Sequence, residues 1–167
     1  MELWDIYDRD RNRTGRTMQR NDWNMKPGDF HLTVLGVIVR PDKSFLITKR
    51  VMTKAYAPGA WEVSGGAAQA GESSEEAVKR EILEETGIDV TGAKGGFVFS
   101  YMRENPKEKD NYFVDIYRYE MDIDEGDVTL QEGETGGFMF ASKEEIQKLA
   151  EQNLFLHYNS IKQVFEV

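Results

Sequence analysis

The sequence predicts an α/β domain, and three observations carry that reading: the chain starts strand-rich, one carboxylate-rich helix sits at its centre, and two helical stretches close it.

Residues 2–7 alternate weakly, 8–12 form a turn-prone polar cluster, and 14–20 return as a second short strand, so the chain opens with a hairpin. Residues 21–30, with Pro27 and Gly28, read as a loop. No linker follows that would separate a domain, and residues 1–30 are expected to be an extension of one domain spanning 1–167. Residues 31–40, HLTVLGVIVR, make the best buried central strand, with a turn at 41–43 and a partner strand at 45–50. His31 is expected to be structural. Lys49 and Arg50 end the partner strand close in sequence to a later glycine pair, where either could meet a substrate phosphate or simply face solvent. A loop with Pro58 and Gly59 occupies 51–60, and 61–64 is a short strand delivering the chain into a glycine turn at Gly65 and Gly66.

The central helix follows. Ser73 or Ser74 can cap it, Glu75 and Glu76 suit the positive end of its dipole, and Gly87 stops it. Glu81, Glu84 and Glu85 are spaced i, i+3, i+4, so at about 100° per residue they share one narrow face. Val78, Ile82 and Leu83 are expected on the side that meets the core. Like charges this close repel by roughly 1 kcal/mol per pair in bulk water, and about 4 kcal/mol at an effective dielectric near 20. A divalent cation removes that cost. With no Cys in the chain and no His near the cluster, the ion expected is hard, Mg²⁺ first and Mn²⁺ as its substitute. A solvated, charge-rich helix face is the plain alternative.

Past the helix, 95–103 and 112–121 read as two strands joined by the charged loop 104–111. Phe99, Tyr101, Tyr112 and Tyr117 offer rings on which a base could stack, although aromatics in strands more often pack within the sheet. Residues 122–127 read as a solvated acidic turn, 138–141 as a last short strand, 142–152 as a helix capped by Ser142, and 157–165 as a second helix.

Residues 66–88, GAAQAGESSEEAVKREILEETGI, resemble the signature of the Nudix hydrolase superfamily. Gly66, Glu72, Arg80, Glu81, Ile82, Glu84, Glu85, Gly87 and Ile88 fill every fixed place in order, with no insertion. The resemblance implies an α/β/α sandwich with a mixed sheet, and a loop–helix–loop that presents carboxylates to a metal-bound diphosphate. Arg80, beside Glu81 and able to reach back to Glu72, would fix carboxylate orientation. Gly65 and Gly66 would let the backbone approach the helix or the ligand. Many family members add one more carboxylate six residues before the aromatic that opens the last strand; Glu134 stands six before Phe140, with Glu132 the alternative. Ser64 stands where the family often has proline, which puts in doubt any transfer of substrate type. The start, with WDIYDRD and TGRTMQR, looks closest to the isopentenyl-diphosphate isomerase-like branch.

At 167 residues the chain fits one domain that can bury roughly 70% of its unfolded surface. A net charge of −9 with no basic stripe argues against a nucleic-acid polymer as partner, while a small phosphorylated molecule held through metal stays compatible. No Cys, no signal-like apolar core at the N-terminus and no long apolar run lead to the expectation of a cytoplasmic protein without a membrane partner, with a homodimer left open.

The function implied is a Mg²⁺-dependent pyrophosphohydrolase acting on a nucleoside diphosphate linked to another group. Glu81, Glu84, Glu85 and Glu134 would hold metal, Arg80 would join them in catalysis, and Lys49, Arg50, Gly65 and Gly66 would meet substrate. An isomerase of isopentenyl diphosphate is disfavoured, because that family uses a cysteine and this chain has none. A non-catalytic nucleotide-binding module is the third reading, although such modules usually show a broken motif.

Overall fold

The computed structural model describes residues 2–54 and 56–167. A hairpin of β1 (Leu3–Tyr7) and β2 (Arg13–Gln19) forms its own two-stranded sheet. The main sheet contains β3 (His31–Val39), β4 (Phe45–Arg50), β5 (Trp61–Glu62), β6 (Ser64–Ala67), β7 (Lys94–Arg103), β8 (Tyr112–Glu120) and β9 (Thr135–Ala141). It is mixed: β3 runs parallel to β8 from His31↔Tyr112 to Val39↔Glu120 and antiparallel to β4 and β6.

Helix α1 (Ser74–Thr86) covers one face of the sheet; α2 (Lys143–Glu151) and α3 (Tyr158–Ile161) cover the other. The alternation along β3 explains the two layers. Leu32, Val34 and Ile38 pack under Ala77, Val78 and Ile82 of α1, while Val37 and Val39 join Phe45, Ile47, Ile146, Ile161 and Phe165 on the opposite side. This is the expected α/β/α sandwich. Gly36 keeps α1 close, because a Cβ there would lie 2.6 Å from Val78 Cγ2 and 2.9 Å from Ile82 Cδ1.

The site depends on how β3 and β4 part. They pair at Val39↔Phe45, and farther along β5 takes the edge of β4 (Thr48↔Glu62) while β6 takes the edge of β3 (Val34↔Gly66, Leu35↔Gly65). Residues 61–67 therefore bridge the gap, and the glycine pair, expected as a turn, is strand. Its lack of side chains is what permits the pairing: a Cβ on Gly65 would strike the Val34 carbonyl.

Ser73, not Ser74, caps α1. Its side chain accepts from Glu76 N and the Glu76 side chain accepts from Ser73 N, a full capping box; Gly87 closes the helix at φ +75°. Leu83 departs from expectation. It is 48% exposed, since it stands about 100° around the helix from Ile82, and Ala77 and Thr86 share the buried face instead. The last helix is also shorter than expected, ending at Ile161 and continuing as a 3₁₀ turn through Phe165; no side chain caps its start. Residues 125–127 are a 3₁₀ turn capped by Asp124, and the last strand begins at Thr135. His31 is buried, with Nε2 2.9 Å from Asp110 Oδ1 and its ring stacked on Trp4. Among the described residues, no helix is long and apolar enough to cross a membrane.

The hairpin is fastened to the loop that leads into α1. Ala70 N donates to Leu3 O (2.7 Å), Gly71 N to Asp5 Oδ2 (2.8 Å) and Arg13 Nη2 to Glu72 O (2.9 Å). Arg11 pairs with the buried Asp115, which also accepts from Ser74 Oγ at 2.6 Å.

Candidate active site

Three elements meet at one polar cleft of about 380 Å³: the carboxylate face of α1, the β5–β6 bridge and the end of β4. Glu81, Glu84, Glu85, Arg80, Gly65, Gly66, Lys49, Arg50 and Glu134 all line it. Glu132 does not line it; it stays exposed on its loop.

Arg80 is the hub. Its Nε donates to Glu72 Oε2 at 2.6 Å and its Nη2 to Glu72 Oε1 at 3.0 Å, while Nη1 reaches Glu81 Oε1 (3.1 Å) and Glu84 Oε2 (3.2 Å). Nη2 also donates to Ala67 O, tying the helix to β6. Burial pushes the Glu72 carboxyl up, but the Arg80 fork and the Gln69 N–H outweigh it and leave Glu72 below the ordinary carboxylate value. The same pairing raises the Arg80 pKa and keeps the guanidinium charged.

Glu81 lies over the glycine strand: a Cβ on Gly66 would come within 2.6 Å of Glu81 Oε1. Burial raises its pKa against the opposing charge of Arg80. Glu85 is pushed well above the ordinary value, first by burial, then by the charges of Glu81 and Glu62, with the Ser64 hydroxyl and the Gly65 backbone opposing. Glu62 is raised by burial too, although Arg50 Nη1 donates to it at 3.0 Å. Glu62, Glu81 and Glu85 are thus half-buried carboxylates, each held above its ordinary pKa by burial, and Glu81 and Glu62 add charge repulsion at Glu85. Among the described residues, no three acidic, His or Cys side chains converge on a ready-made ion position. The oxygen-only donor set and the crowding at Glu85 nevertheless fit a hard divalent cation, whose charge would lower the cost of ionising all three.

On the far wall, Arg50 donates through Nε to Tyr56 O at 3.0 Å, and Lys54 pairs with Glu134. The Lys49 ammonium lies 5.9 Å from the Trp61 ring centre. None of Phe99, Tyr101, Tyr112 and Tyr117 lines this cleft; Tyr117 is buried, with its hydroxyl 2.7 Å from Ser74 Oγ. Glu62, Lys54, Glu2 and Arg20 line it without having been expected to. For Glu62 a signal exists, since it alternates with Trp61 and Val63 in a short strand. For the other three, only long-range pairing brings them in.

A family model described as the NUDIX domain matches residues 29–163. The chain is 32% identical to an uncharacterized Nudix hydrolase of Listeria monocytogenes, over all of this chain and 95% of that one. A crystal structure from Deinococcus radiodurans superposes with a TM-score of 0.71 at 22% identity, covering 90% of each chain. A bifunctional NMN adenylyltransferase/ADP ribose pyrophosphatase from Francisella tularensis, complexed with AMP and a Mn ion, superposes with a TM-score of 0.61 at 17% identity, over 81% of this chain and 41% of that one.

Proposed function

Because this chain belongs to the Nudix hydrolase family, we propose that it is a Mg²⁺-dependent pyrophosphohydrolase that cleaves a P–O bond within the diphosphate of a nucleoside diphosphate linked to another group. The observation that carries the reading is the convergence of Glu81, Glu84, Glu85 and Glu134 with Arg50 and Lys49 on a single cleft. In this reading residues 1–167 work as one unit in the cytoplasm.

Glu81, Glu84 and Glu85 would hold the ion, with Glu134 reaching in from the loop before β9. When bound, Mg²⁺, or Mn²⁺ in its place, neutralises charge on the phosphate oxygens and acidifies water. Arg80 keeps Glu72 ionised and aims Glu81 and Glu84. Arg50 and Lys49 take phosphate oxygens, and the bare backbone of Gly65 and Gly66 lets the diphosphate come near the sheet. A carboxylate of the cluster, or Glu134, takes the proton of the attacking water. The Mn ion named with the Francisella tularensis structure supports the cation class. The isomerase reading lacks its cysteine.

Phosphate release from a panel of nucleoside di- and triphosphates, nucleotide sugars, dinucleoside polyphosphates and dinucleotide cofactors, with and without Mg²⁺, tests the proposal. Turnover on at least one of them that stops in excess EDTA is expected. Turnover undiminished by EDTA, or none on any of them, overturns it.

A further inference from the structure

The cations on the cleft are committed to different degrees: among the described residues Arg50 keeps Nη2 without a partner and Lys49 has no ion pair, which leaves both able to take phosphate oxygens. Arg80 is held by Glu72, Glu81, Glu84 and the Ala67 carbonyl, Arg50 by Glu62 and the Tyr56 carbonyl, and Lys54 by Glu134. Arg20, just past β2, is the least committed of the arginines on the cleft. Its only side-chain partner among the described residues is Glu2, reached from Nη1 alone at 3.3 and 3.4 Å, while Nε and Nη2 have no partner there. Its side chain is 59% exposed. The backbones of the two residues are fixed by the hairpin, with Arg20 N donating to Glu2 O at 3.0 Å.

Glu2 is held more firmly than Arg20. Its Oε2 accepts from Trp4 Nε1 at 3.0 Å, and Oε1 lies 3.5 Å from Gln69 Nε2. Both Glu2 and Arg20 line the same cleft as Glu81 and Glu84, and the charge of Glu2 is near enough to help raise the Glu81 pKa. The hairpin lies outside residues 29–163, the part matched by the family model. Its fastenings to Ala70, Gly71 and Glu72 hold it beside the start of α1.

We propose that Arg20 is a substrate-binding, specificity-determining residue supplied by the N-terminal hairpin: its guanidinium takes a phosphate oxygen of the diphosphate-containing substrate, and Glu2 is the counter-charge that holds it until substrate arrives. A planar guanidinium with two idle nitrogens suits a phosphate, and its weak, single-nitrogen contact to Glu2 is easily exchanged for a stronger forked one. Glu2 then opposes substrate in two ways. It competes for Arg20, and it adds negative charge to the cleft wall.

This assignment rests on the hydrolase reading, and the two fail separately. In steady-state kinetics with the best substrate of the panel, Arg20→Ala should raise KM by about ten- to a hundredfold, the loss for one charge-assisted hydrogen bond. Glu2→Gln should shift KM in the opposite direction, downward, and Gln19→Ala, an exposed neighbour that does not line the cleft, should change neither KM nor kcat. Opposite signs at Arg20 and Glu2 separate ligand binding from a structural role, since breaking a structural ion pair from either side harms the protein in the same sense. The same variants are titrated with inorganic pyrophosphate and Mg²⁺ by calorimetry, where weaker binding by Arg20→Ala and tighter binding by Glu2→Gln are expected. A wild type with no turnover on any substrate ends the hydrolase reading but leaves the pyrophosphate measurement to judge Arg20. Wild-type KM in Arg20→Ala, equal shifts in both variants, or pyrophosphate binding that does not differ between wild type and Arg20→Ala, absent binding included, overturns the assignment.

Discussion

Arg80 and Glu72 meet as a two-pronged ion pair, Nε to Oε2 at 2.6 Å and Nη2 to Oε1 at 3.0 Å, across the first two turns of the helix that carries the cleft's carboxylates. The fork leaves Nη1 aimed at Glu81 and Glu84, so one side chain fixes three carboxylates at once.

Lysine at position 80 keeps the charge but has no planar fork, so it cannot hold Glu72 in two places and still reach Glu81 and Glu84. Arg80→Lys should lose about 1–2 kcal/mol of stability, because both partners are mostly buried. Turnover should fall by about ten- to a hundredfold, the usual cost of removing a group that orients ligands. Urea midpoints and kcat on one preparation check both; a variant that kept wild-type kcat would show that the cluster orients itself.

Glu85→Gln removes one charge from a face where Glu81 and Glu62 already repel it, with no change in side-chain length. The metal-free fold should be no less stable. Activity should fall by at least about a hundredfold, because a neutral amide serves a hard cation poorly. The pH dependence adds a sign. Between the ordinary value of 4.5 and the higher folded value of Glu85, the folded chain binds more protons than the unfolded one, so this residue's contribution makes stability fall as pH rises through that window. The advantage of Glu85→Gln over wild type should therefore be absent below the ordinary carboxylate value and grow as pH rises above it. Urea titrations of both proteins across that range decide it, and parallel curves would remove the burial argument for Glu85.

What was legible in the sequence is what is local. Ser73, Glu76 and Gly87 act on α1 within a turn of themselves, and the carboxylates share a face by helical spacing alone, so both could be read directly. The exposure of Leu83 is not legible in the sequence, because a helix wheel gives directions but not the width of the surface the helix meets, and β3 contacts α1 closely through Gly36. The glycine pair reads as a turn because nothing nearby in sequence shows that β3 and β4 part and leave an edge for it to fill. Arg20 and Glu2 escape a sequence reading for the same kind of reason: they reach the cleft only because the hairpin is pinned to residues 70–72, far along the chain.

An ion that binds only the folded state stabilises it by RT ln(1 + [L]/Kd), about 2.7 kcal/mol at a hundred times Kd. Mg²⁺ and Mn²⁺ should therefore raise the thermal midpoint of the substrate-free protein, and Glu85→Gln should shrink the rise. Scanning calorimetry with and without each ion measures it. If neither ion moves the wild-type midpoint, the carboxylates do not hold metal before substrate arrives.

The position of α1 can be tested without touching a carboxylate. Gly36 pairs with Ser64 on one side and Tyr117 on the other, so its strand cannot slide away, and an added Cβ would meet Val78 Cγ2 at 2.6 Å and Ile82 Cδ1 at 2.9 Å. Both neighbours are branched and fully buried, which leaves the helix itself to give way. Gly36→Ala should cost about 1–3 kcal/mol from overpacking, more than the few tenths to 1 kcal/mol that alanine returns by restricting the unfolded chain. Because Glu81, Glu84 and Glu85 ride on α1, turnover should fall as well, by up to about a hundredfold for a displacement near 1 Å. Val78→Ala removes the first collision, so the double variant should recover part of both losses, a coupling that distant, independent sites do not show. Urea midpoints and kcat for the two single variants and the double complete the cycle. Strict additivity would mean that α1 does not rest on Gly36, and a stability loss with unchanged turnover would mean that the carboxylates tolerate movement of their helix.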